Sequence, residues 1–168
     1  MLKFILPAAL LFLDSLIGLR AIAQPQIPAA RIKTLRGAIT SFGSAVQKDS
    51  LILVCFWSTT SDMSIAELNS INANYEKWKK GVAFRMMAVS IDEGQAANKI
   101  RPTVNMNDWQ FEVFSDIFGD LRKALGSNNL PQAMIIKKNK LIYEQSGYEP
   151  GSESYLFHKM QVLASGRD

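Results

Sequence analysis

Ser61 and Ser64 stand three residues apart, just after the apolar run from Leu51 to Trp57, and here the sequence comes nearest to chemistry. The run reads as a strand buried on both faces, and the residues after Ser61 read as a helix. Ser-x-x-Ser therefore falls at a strand-to-helix junction. Backbone N–H groups at a helix start stabilise a thiolate, so two cysteines at this spacing would be reactive. Serine cannot use that help, because its hydroxyl does not ionise near neutral pH and oxygen cannot form the mixed disulfide through which electrons are exchanged. What remains is hydrogen bonding. Ser64 and Glu67 have the S-x-x-E spacing of a capping box, in which both side chains close N–H groups at a helix start, and this reading is preferred to a proton-transfer role for Glu67.

The elements around this junction follow from periodicity. Ile65, Leu68, Ile71, Tyr75 and Trp78 recur at three- and four-residue intervals and predict one apolar helical stripe, with Gly81 ending the helix in a left-handed conformation. Phe84 to Ile91 reads as the next strand, with Met86 and Met87 as core filler. A helix from Gln95 to Asn105 follows, which Pro102 either kinks or delays. Ile117 to Leu125 reads as a helix stopped by Gly126, and strands on either side of the Lys137–Lys140 turn form a hairpin. Ser152 is expected to cap a last helix that buries Leu156, Met160 and Leu163. Ile32 to Phe42, with Gly37 in its middle, reads as an N-terminal hairpin. Strands alternating with helices give the α/β class, with a central mixed sheet flanked by helices.

The pattern Phe56, Trp57, Thr59, Ser61, Ser64 and Glu67 resembles the F-W-x-T-x-C-x-x-C-x-x-E motif of the TlpA/ResA-like branch of the thioredoxin superfamily, with serine at both cysteine positions. Val89-Ser90-Ile91-Asp92, Phe111 to Asp116, Leu130-Pro131 with the strand after it, Lys137 to Lys140 and Gly147-Tyr148 resemble further family motifs, in order. Thr60, Asp62, Met63 and Asn69 depart from the family pattern. The resemblance implies a thioredoxin-like fold with an N-terminal β-hairpin, and a cis Leu130-Pro131 bond facing Ser61 and Ser64. It also implies that Glu67 lies beneath the former dithiol. It further implies a substrate groove, to which Trp57, Asp62, Met63, Leu130 and Pro131 are assigned. The expected function is a redox-inactive domain that binds protein or extended peptide without a cofactor. The alternatives are an oxidoreductase or antioxidant enzyme with an unconventional centre, whose only thiol would be Cys55, and a structural subunit of an envelope complex.

Composition narrows the classes. The chain of 168 residues suits one domain, and its single cysteine, Cys55, rules out an internal disulfide. Cys55 sits in mid-strand and reads as a small core residue. His158 falls opposite Leu156 on the last helix and reads as a surface residue; with no second histidine and Cys55 buried a zinc or copper site lacks ligands, and a last helix packed on the sheet face is too remote from Ser61 for a Ser-His pair. Residues 1–23 read as a signal peptide, with Lys3 before an apolar run and Ala21-Ile22-Ala23 as the cleavage site; residues 24–31 form a linker and 32–168 the domain. Asp14 and Arg20 interrupt the leader, which leaves a cleaved leader and an uncleaved anchor both open. Export to the periplasm or beyond is expected in either case. The net charge is +4, and loss of residues 1–23, with Lys3, Arg20 and Asp14, leaves +3, too small an excess to argue for nucleic acid. Lys77, Lys79 and Lys80, like Lys137, Lys138 and Lys140, read as solvated surface.

Overall fold

The computed structural model describes residues 27–46, 51–127 and 129–166; the leader and the start of the linker lie outside them. Seven strands form one mixed sheet in the order β2-β1-β5-β4-β3-β6-β7. The hairpin β1 (Arg31–Thr34) and β2 (Ile39–Ser41) turns at Gly37 and adds to the sheet through antiparallel pairing of β1 with β5 (Glu112–Ser115). A short α1 (Phe42–Val46) follows β2. The centre is β3 (Leu51–Trp57), parallel to β4 (Arg85–Ser90) on one side and antiparallel to β6 (Gln132–Lys137) on the other. With a strand on each edge and helices on each face, all seven β3 residues are buried, which is why the sequence there is a continuous apolar run.

Alternation along β3 divides the core. Leu53, Cys55 and Trp57 face α2 (Asp62–Gly81) and α5 (Ser152–Ala164), whereas Ile52, Val54 and Phe56 face the side holding Phe42, Val46 and Leu121. The expected α2 stripe is real: Leu68, Ile71, Tyr75 and Trp78 are buried and Ile65 packs beside them. Each such side chain contributes about 1.5–3 kcal/mol by leaving water. On α5, Leu156, Met160 and Leu163 are buried while His158 is exposed.

Four helix ends differ from the sequence reading. Gly81 closes α2 but is not left-handed; the cap is the extended Val82. The absence of a side chain matters there because a Cβ on Gly81 would stand 3.2 Å from the Phe157 ring, which stacks on Trp78. The cap of α5 is Gly151 at φ 98°, and the Ser152 hydroxyl instead accepts from the Glu149 N–H outside the helix. The segment after β4 divides into a 3-10 turn (Ala96–Lys99) and α3 (Ile100–Asn107), with Pro102 in the first turn, where its missing N–H costs nothing. Finally α4 (Asp120–Leu125) starts later than Ile117, because Gly119 is left-handed and the buried Asp116 carboxylate accepts from the Leu121 and Arg122 N–H groups. The outer strand β7 (Lys140–Ser146) is joined to β6 through Lys138 and Asn139, both at positive φ, as a two-residue hairpin requires.

Candidate functional site

The junction after β3 is a polar corner built on Asp92. Its carboxylate, buried at the end of β4, accepts from the Ser58 hydroxyl at 2.6 Å, the Thr59 N–H at 2.8 Å and the Ser90 hydroxyl at 2.8 Å. Since Ser58 spends its proton on Asp92, the 2.9 Å contact between Ser58 and Thr60 has the threonine hydroxyl as donor. These bonds fix residues 58–60, and with them the direction in which α2 leaves the sheet.

Ser61 is the N-cap of α2, in an extended conformation, and its hydroxyl accepts from the Ser64 N–H at 3.3 Å and the Ser64 hydroxyl at 2.8 Å. The two oxygens thus sit side by side at the helix start, where adjacent thiols would sit. This corrects the capping-box expectation: Ser64 is inside the first turn and fully buried, and the cap lies three residues earlier. Glu67 reaches no cap N–H.

Glu67 lies one turn further along α2, 1 % exposed, and its Oε2 has no hydrogen-bond partner among the described residues. Burial, with a smaller contribution from the Glu153 carboxylate, pushes its pKa up to about 7. Cys55 faces the same side of the sheet, fully buried; burial, then the Glu67 charge, hold its thiol well above the ordinary range. A thiol kept protonated and out of contact with solvent is a poor nucleophile.

The residues assigned to a groove divide. Asp62 and Met63 are exposed at the head of α2, and the Leu130-Pro131 bond is cis. Phe56 pairs with Gln132, so Pro131 follows at the level of Trp57, beside the strand end that feeds Ser61. Trp57 itself is not a groove wall. Its ring is fully buried and meets Trp109 edge-on at 4.8 Å, because it continues the alternation of Leu53 and Cys55 into the core.

The apolar opening beside Met63 is formed instead by residues the sequence reading did not assign. A cleft of about 400 Å³ runs between Met63, Gly147, Tyr148 and Tyr155, with Met63 50 % and Tyr155 49 % exposed. Gly147 N–H donates to the Pro131 carbonyl at 2.8 Å, and the Tyr148 hydroxyl bonds Ser70 at 2.7 Å, so α2, Pro131 and the segment after β7 are tied around it.

Among the described residues, Ser61 has no imidazole or carboxylate in hydrogen-bond contact, and no group of three or more His, Cys, Asp or Glu could hold a metal ion. Nor is any described helix long and apolar enough to cross a membrane.

The family model described as the AhpC/TSA family matches residues 24–145. Among solved structures, a thioredoxin-like protein from Porphyromonas gingivalis is 30 % identical, covering 84 % of this chain and 94 % of its own, with a TM-score of 0.70. A putative thiol:disulfide interchange protein DsbE from Chlorobium tepidum is 19 % identical, with 84 % and 95 % covered and a TM-score of 0.64. A secreted Mycobacterium tuberculosis disulfide oxidoreductase is 13 % identical, with 78 % and 96 % covered and a TM-score of 0.64. Comparison with curated proteins finds no match.

Proposed function

We propose that this chain, which belongs to the AhpC/TSA family and has its thioredoxin-like fold, is an exported member that works by binding an extended protein segment and not by exchanging disulfides. The observation that carries this reading is the 2.8 Å contact between the Ser61 and Ser64 hydroxyls at the head of α2. The frame that would aim two sulfurs is retained, and oxygen stands in their place. Beside it the Met63, Tyr148 and Tyr155 cleft offers an apolar pocket for a side chain of the bound segment. Export is supported by the apolar leader in the sequence, and one structural neighbour is described as secreted.

The test is to install the missing atoms. Ser61→Cys with Ser64→Cys is expected to close a disulfide on mild oxidation and to confer catalysis of insulin reduction by dithiothreitol, while the native protein leaves that reaction at its uncatalysed rate. Turnover by the native protein that survives Cys55→Ala would sink the redox-silent reading. Binding is read separately, by fluorescence with unfolded model polypeptides: Met63→Asp should weaken it about tenfold if the cleft seats an apolar residue.

A further inference from the structure

A second cavity, of about 430 Å³, opens on the same face of the sheet as Trp57 but at the β1–β5 side, under the 3-10 turn and α3. Its construction follows from strand register. Lys33 and Ser115 are direct partners across β1 and β5, and alternation from the buried Ile32 and Phe114, which face the other side, turns both side chains toward this cavity. Arg101 closes the opposite wall, donating through one guanidinium nitrogen to the Leu35 carbonyl. Leu35, Ile100, Pro102 and Ile117 supply an apolar floor.

Two features of this cavity lack an internal explanation. Among the described residues, Lys33 and Arg101 both line it while no Asp or Glu does, and neither cation takes part in an ion pair. Ser115, only 7 % exposed and part of the lining, has a hydroxyl with no hydrogen-bond partner among the described residues. An unpaired buried hydroxyl in a cavity that two cations also line is a group that an anionic oxygen would satisfy.

We propose that this cavity binds a small organic anion, its carboxylate or phosphate head held by Lys33, Arg101 and the Ser115 hydroxyl and its apolar body resting on Leu35, Ile100 and Pro102. The cavity volume suits a ligand of that class, and a guanidinium beside an ammonium recognises either head group. The site is independent of the Met63 cleft.

Amide NMR titration of the folded protein tests this with benzoate, phenyl phosphate and the neutral isostere benzamide. Saturable shifts at residues 33–35, 97–101 and 115–117 are expected with at least one anion, and the tighter anion identifies the head group. Lys33→Gln and Arg101→Gln should each weaken that binding about tenfold, while Met63→Asp leaves it unchanged. No saturable response to either anion, equal binding of benzamide, or unchanged affinity in the Lys33→Gln, Arg101→Gln double variant would overturn the proposal. The benzamide comparison uses the native protein and does not depend on either variant folding.

Discussion

Asp92 and Glu67 are both buried near the corner that follows β3, yet Asp92 accepts from two hydroxyls and a backbone N–H, whereas Glu67 leaves one oxygen without a partner. A carboxylate supplied with donors is held in place in the interior and acts as a brace. One without them is destabilised in its charged form and holds its proton to higher pH. Asp92 therefore explains how the loop is held, and Glu67 marks the place beneath Ser64 where the fold tolerates a cost. That cost has no structural return in capping.

The contrast can be broken by mutation. Asp92→Ala should have the largest effect, a loss of about 3–5 kcal/mol in denaturant unfolding, because it strands Ser58, Ser90 and the Thr59 N–H together; a loss below about 1 kcal/mol would show that Asp92 is no brace. Glu67 should instead reveal itself through pH. Its proton is retained in the folded protein to about 7 and released near 4.5 once the chain unfolds. Stability attributable to this group is thus full below the unfolded value, falls as pH rises between the two, and stays low above. The total is about 3 kcal/mol. Glu67→Gln should flatten that decline, measured by unfolding at several pH values, and an unchanged slope would assign the decline to other groups. Ser58→Ala should cost about 1–2 kcal/mol in the native background and much less in Asp92→Ala, since both remove the same bond. Ser61→Ala removes the α2 cap and should cost about 1 kcal/mol, the smallest of the set.

Much of this molecule was legible in its sequence, and the misses have physical causes. Seven apolar residues in a row announce β3, and the stripe from Ile65 to Trp78 announces α2, because burial on two faces and on one face leave different periods. The cap was misplaced because Ser61, Ser64 and Glu67 are each three residues apart. Spacing alone cannot say which serine has the extended backbone, and the Asp92 brace decides it in favour of Ser61. Trp57 was assigned to a groove although its own run already implied burial. Tyr148 and Tyr155 were beyond reach of local pattern: they line one cleft with Met63 only once the segment after β7 and α5 both pack against α2, with the Phe157 ring close over Gly81.

The enclosure of Cys55 in the middle strand has a consequence for the surroundings in which this protein can operate. With one cysteine in the chain, and that one sealed from solvent, the fold contains no covalent bond that a shift in ambient reduction potential could make or break. Oxidising and reducing compartments should therefore find the same architecture, held by its core alone.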